Sequence, residues 1–162
     1  MKQPKILVTG ATGRTGSAVV DELLAKGVSV RALVHSKDAR SAALERKGAE
    51  TVVADMFDLD QVVAAMRGTQ RAYYLPFYHP YMIQSATAFA VAAQEAKLEA
   101  VVSMGQWLAS PIHPSLTTRQ AWLATAANFV CVDDSGAGAP GDFAISQHLC
   151  FGACGSQSLL IC

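Results

Sequence analysis

The chain has little charge and no excess of either sign. Asp, Glu, Lys and Arg make up 16% of its 162 residues, and 13 acidic side chains balance 13 basic ones. Nucleic acids and anionic lipid surfaces select for a basic excess, so neither is expected as a partner. No apolar run reaches the roughly 18 residues of a membrane span; Gln84, Gln94 and Glu95 break the one long candidate. Gly10 and Gly13 interrupt the apolar stretch behind Lys2 and Lys5, and no small-residue cleavage site follows it. The expectation is therefore a cytoplasmic chain without a signal peptide. Cysteine is missing before Cys131, tyrosine after Tyr81, and lysine and arginine after Arg119. What is abundant is apolar: 51% hydrophobic content in a chain long enough for one core suits a sheet covered on both faces.

The segment Lys5 to Gly16, KILVTGATGRTG, runs a short apolar strand into a loop with glycines at 10, 13 and 16. Gly10 would form the tight turn after the strand. Gly13, lacking a Cβ, would let backbone N–H groups approach a pyrophosphate, and Gly16 would let the following helix pack closely. The helix start near Thr15 would aim unpaired N–H groups and its positive dipole end at the same phosphates. Gly10, Thr12, Gly13, Arg14, Thr15 and Gly16 are thus the candidate phosphate-side residues. The competing reading is a strand-to-helix turn that uses glycine for geometry alone.

The rest of the first 123 residues alternates strand and helix. Strands are expected at Lys5 to Thr9, Val28 to His35, Glu50 to Ala54, Arg71 to Leu75 and Glu99 to Met104. Helices are expected from Thr15 to Lys26, around Ala39 to Lys47, after a cap at Asp58, and from Tyr81 to Lys97, with Gly27, Gly48 and Gly68 as stops. Strands joined to helices by short loops predict an α/β fold, a doubly wound parallel sheet of Rossmann type. Its expected order is 3-2-1-4-5, with ligand at the carboxyl ends where the order reverses.

Cofactor choice depends on the end of strand two, where an NAD-selective site presents an acid to the ribose. This chain has none there. It has Arg31, His35, Ser36, Lys37 and Arg40, with Arg14 in the glycine loop as a further candidate. These groups suit a 2′-phosphate, and NADP(H) is favoured over NAD(H).

The glycine spacing in TGATGRTG resembles that of the extended and atypical short-chain dehydrogenase/reductases. With VSVRALVHS, GAETVVADMFD and VVSMGQWLASPIHPSLTTRQAWL, the likeness is nearest to the NmrA-like group and covers about three quarters of the chain. The resemblance implies a domain holding NADP(H) or NAD(H), in proteins that reduce quinones or other small molecules or only sense the cofactor. It implies that Asp55 and Met56 lie beside the adenine. Topology places Leu75 and Pro76 under the nicotinamide-side ribose.

The catalytic residues expected of a typical short-chain reductase are missing, since no Tyr-x-x-x-Lys follows strand five. Ser103 stands where related sequences often carry a serine. His113, Thr117, Thr118, Arg119 and Gln120 stand where the missing pair would approach. Hydride transfer to a quinone or flavin needs only a positioned nicotinamide and an acceptor. Tyr73, Tyr74, Phe77, Tyr78, Tyr81 and Trp107 could wall such an acceptor, with at least Tyr73 or Tyr74 expected in the core instead. The functional expectations are an NADPH-dependent reductase of small electrophiles such as quinones, a regulatory cofactor sensor without chemistry, or a truncated family member without turnover.

From Ala124 to Cys162 both hydrophobic periodicities lapse, and DDSGAGAPGD from Asp133 reads as turn or disorder. The four cysteines, separated by 18, 3 and 7 residues, match no common zinc spacing, and no metal site is expected. Residues 124–162 are therefore expected to be an atypical tail, disordered or out of frame, on a truncated family member. The fold would then be incomplete on its C-terminal side, and the chain would self-associate through an uncovered sheet face.

Overall fold

Short apolar stretches, each followed by a turn and a helix-starting residue, fold as the alternation predicts. The computed structural model describes residues 4–76, 79–104, 112 and 114–122. Along the chain these are β1 (Lys5–Val8), α1 (Arg14–Ala25), β2 (Ser29–Val34), α2 (Ala39–Arg46) and β3 (Glu50–Val53). There follow α3 (Leu59–Met66), β4 (Arg71–Tyr74), α4 (Met82–Glu95), β5 (Ala100–Ser103) and α5 (Leu116–Trp122). All strand pairs are parallel and the order is β3-β2-β1-β4-β5, as expected. The elements end a residue or two from their predicted limits, so that His35 lies just beyond β2 and Arg14 already belongs to α1. Residues 124–162, with every expectation attached to them, lie outside the described residues.

Successive side chains of a strand point to opposite faces, and this divides the core in two. Leu7, Leu33, Ala72, Tyr74 and Val101 face α3 and α4, where Val62, Met66, Met82 and Phe89 meet them. Val8, Val30 and Ala32 face Val20 and Leu44, with Val19, Leu23 and Leu24 packed around them. Tyr74 is fully buried against Phe89, with ring centroids 4.6 Å apart. Burial pushes its hydroxyl up to about 12, against the opposing effect of a 3.5 Å hydrogen bond with Ser85. The expectation that one of Tyr73 and Tyr74 belongs to the core is met by Tyr74, which therefore walls no ligand.

Asp38 caps α2 by accepting from the N–H groups of Arg40 and Ser41, while the Ser41 hydroxyl accepts from the Asp38 N–H. Asp58 caps α3 through the Gln61 N–H. Arg31 corrects one sequence expectation. Its Nη1 donates to the carbonyls of Ala65 and Arg67 at 2.8 and 2.6 Å, and its Nη2 lies 2.9 Å from Glu50. The guanidinium ties the end of α3 to the sheet, three residues short of the end of β2. It is thereby removed from the set facing a 2′-phosphate.

Candidate functional site

The candidate site residues gather beyond the carboxyl ends of β1, β2, β3, β4 and β5. After β1 the chain turns at Gly10, whose φ of +60° is the left-handed conformation that side chains disfavour. The Gly13 N–H closes the turn on the Gly10 carbonyl at 2.9 Å. Gly16, in the first turn of α1, rests on that turn. A Cβ there would lie 2.1 Å from the Gly10 carbonyl oxygen and 2.9 Å from Ala11 Cα, so only glycine lets the helix start this close to the loop.

Gly13 is a different case. Its backbone is extended, with φ −85° and ψ 170°, and a Cβ would meet only the Gly10 carbonyl oxygen, at 3.3 Å. These angles suit any residue, and the one constraint on a side chain is that tight contact with the Gly10 carbonyl oxygen. The missing side chain leaves open the outer side of a loop in which Gly13, Arg14 and Thr15 are exposed and Thr12 half-buried. Gly13 is also the N-cap of α1, and no side chain caps that helix. The first N–H groups of α1 and the positive end of its dipole thus face the space above Gly13, a donor set suited to an anion.

Beyond β2, His35, Ser36 and Lys37 are exposed. Lys37 lies 3.3 Å from Glu45, and Arg40 pairs with Asp38 at 2.8 Å, so both cations have carboxylate neighbours. Hydrogen bonds from Ser41 and Arg40 hold the Asp38 carboxyl below its ordinary range, and those from Thr51 and Lys37 do the same for Glu45. The free charge offered to a phosphate here is thus smaller than the residue types suggest. Arg14, the first residue of α1, is exposed as well.

Beyond β3, Asp55 is half-buried and spends a carboxylate oxygen on the Phe57 N–H, at 2.9 Å. Met56 packs its side chain against the α3/α4 core. Leu75 and Pro76 are half-buried beyond β4, and Leu75 Cδ2 reaches within 3.0 Å of where a Gly10 Cβ would stand. Ser103 ends β5 fully buried, and its hydroxyl has no hydrogen-bond partner among the described residues.

Of the expected aromatic wall, Tyr73 is half-buried with its hydroxyl 2.9 Å from Met104 Sδ, and Tyr81 is exposed. Phe77, Tyr78 and Trp107 lie outside the described residues, as does His113. Thr117, Thr118, Arg119 and Gln120 lie on α5, which packs against α4.

Three residues absent from the sequence reading emerge. Thr9 accepts the Leu75 N–H on its hydroxyl at 2.8 Å, while Phe57 and His79 form a ring cluster with Tyr81. The Asp-x-Phe spacing was the available signal for Phe57, because an Asp side chain commonly accepts from the N–H two residues on.

The glycine cradle, the uncapped helix and the nearby cations fit a dinucleotide. In known proteins the chain is similar to sterol demethylase protein B of Methylococcus capsulatus, 38% identical over 68 residues, which are 42% of this chain and 20% of that one. Its fold matches NADPH-dependent quinone oxidoreductase QOR2 of Escherichia coli, solved with NADPH, at a TM-score of 0.64 and 23% identity, covering 74% of this chain and 42% of that one. It also matches NmrA, a negative transcriptional regulator solved with NADP, at a TM-score of 0.68 and 17% identity, covering 82% of this chain and 43% of that one. The chain spans less than half the length of each of these relatives. A profile of the NmrA-like family matches residues 2–106, and the chain belongs to that family.

Proposed function

We propose that the chain binds NADP(H) in preference to NAD(H) and reduces small electrophiles such as quinones. Gly13 carries the reading. The φ and ψ of Gly13 suit any residue and a Cβ would meet a single atom, the Gly10 carbonyl oxygen at a tight 3.3 Å, and its absent side chain clears the approach to an uncapped helix N-terminus.

On this reading the loop from Gly10 to Gly16 holds the pyrophosphate through backbone N–H groups, with Thr12, Arg14 and Thr15 around it. Arg14, His35, Ser36 and Lys37 receive the 2′-phosphate, Asp55 and Met56 flank the adenine, and Leu75 and Pro76 line the nicotinamide side, where Ser103, fully buried, is not among the lining residues. The cofactor, when bound, supplies the hydride. The chain's part is to orient it and exclude water. The NADPH-bound quinone oxidoreductase and the NADP-bound regulator, similar in fold, support the cofactor choice.

The second reading, a cofactor sensor, draws on Ser103. The serine expected near the missing Tyr-x-x-x-Lys is fully buried, and a sealed hydroxyl cannot reach a substrate. The fold likeness to a transcriptional regulator points the same way. Following NADPH oxidation with and without a soluble quinone separates the two. Quinone-dependent oxidation supports the reductase, saturable NADPH binding without turnover supports the sensor, and absence of binding removes both.

A further inference from the structure

Two ion pairs border the loop that follows β2. Lys37 Nζ lies 3.3 Å from Glu45 Oε1, and Arg40 donates from Nε and Nη2 to Asp38 Oδ2 at 2.9 and 2.8 Å. In both pairs the anion is the anchored member. Asp38 Oδ1 accepts the N–H groups of Arg40 and Ser41, each at 2.9 Å, and so belongs to the cap of α2. Glu45, in the last turn of α2, also accepts the Thr51 hydroxyl of β3 on Oε1.

The cations are the loose members. The side chains of Lys37 and Arg40 are 67% and 70% exposed, against 43% and 33% for those of Glu45 and Asp38. A cation can therefore swing toward a ligand while its carboxylate stays behind, tied to the helix and to β3. The two acids cancel the two bases, and His35 adds only a partial charge at neutral pH. A phosphate arriving here must draw each cation away from a partner it already has, and it then stands near the carboxylate left in place, a like charge that repels it. A ribose hydroxyl in the same position is uncharged and meets no such penalty.

We propose that Asp38 and Glu45 are specificity-determining residues, resident counter-anions of Arg40 and Lys37 that a 2′-phosphate must displace and that hold the preference for NADPH over NADH to a modest ratio. Each acid acts through the cation it neutralises, without touching the cofactor. The residue types beyond β2 call for a strongly NADPH-selective loop; the pairing makes it a tempered one. The inference rests on the reading of the glycine loop and the end of β2 as the dinucleotide site.

Calorimetric titration of the full chain with NADPH and with NADH, in the wild type, Asp38→Asn and Glu45→Gln, tests it. Each substitution should tighten NADPH about threefold, in line with the worth of one exposed ion pair, and leave NADH unchanged. The gain should fade as salt rises. Asparagine caps a helix as well as aspartate does, and glutamine keeps an acceptor for Thr51, so both variants should melt like the wild type. Asp21→Asn is the control for net charge, since it removes an acid that pairs with Lys47 at 2.7 Å, and it should move neither affinity. NADPH affinity unchanged in both loop variants, an equal tightening of NADH, or an equal gain in Asp21→Asn would overturn the proposal while leaving the dinucleotide reading intact. A wild-type chain that binds neither cofactor would overturn both.

Discussion

The Thr9 hydroxyl accepts the backbone N–H of Leu75 at 2.8 Å, and the Thr9 N–H donates to the Tyr73 carbonyl at 3.0 Å. These two bonds join β1 to β4 just past their last paired residues and seat Leu75 against the Gly10 turn. Thr9 is 2% exposed, so its hydroxyl has no water to fall back on. The β4–α4 loop therefore takes its starting position from a side chain in the glycine motif.

Thr9→Val keeps the shape and removes the acceptor, leaving a half-buried N–H unpaired. The expected cost is about 1–3 kcal/mol, read as a lower urea midpoint with unchanged slope. Thr9→Ser, which restores the hydroxyl, should recover most of it. An unchanged midpoint in Thr9→Val would show that Leu75 does not depend on Thr9.

Arg31 separates structure from cofactor choice. Arg31→Met removes charged hydrogen bonds to the end of α3 and to Glu50, at an expected cost of about 2 kcal/mol. The ratio of NADPH to NADH affinity should stay unchanged, since the guanidinium is engaged within the fold. A shift in that ratio on calorimetric titration would return Arg31 to the phosphate site.

The preference itself is expected at about tenfold, the worth of one charge-assisted contact to the 2′-phosphate. Lys37→Ala and Arg14→Ala should each reduce it, and added salt should weaken it, because these side chains are exposed. Equal affinities for the two cofactors would contradict the assignment of His35, Ser36, Lys37 and Arg14.

Tyr74 sets an alkaline limit. Its hydroxyl is raised in the folded chain to about 12, so burial of the neutral phenol contributes stability that is complete below the unfolded value near 10. That contribution is lost as the pH rises through about 12. Denaturant titrations across this range should show a steeper fall for the wild type than for Tyr74→Phe. Parallel falls would place the ionisation elsewhere.

The sheet order was legible because apolar stretches and turn glycines alternate at short intervals, and Asp58 and Gly10 announce their positions locally. Arg31 was misread because its partners, the carbonyls of Ala65 and Arg67, are more than thirty residues away in sequence and carry no side-chain signature. The Phe57 cluster was missed for a related reason. Phe57 and His79 meet only because α3 and α4 pack together. Ser103 was legible as a position, but its complete burial is a property of the assembled core.

On the proposed reading Gly13 is glycine for a ligand, whereas Gly16 is glycine for the fold. The most direct measurement titrates NADPH into the wild type and Gly13→Val by calorimetry, with circular dichroism and thermal melts of both and of Gly16→Ala. Gly13→Val should keep the wild-type spectrum and melt only a little lower, its Cβ pressing on the Gly10 carbonyl oxygen at 3.3 Å, while losing binding; Gly16→Ala should lose the fold, its Cβ falling 2.1 Å from a backbone oxygen. A folded Gly13→Val that binds NADPH as the wild type does would contradict the account.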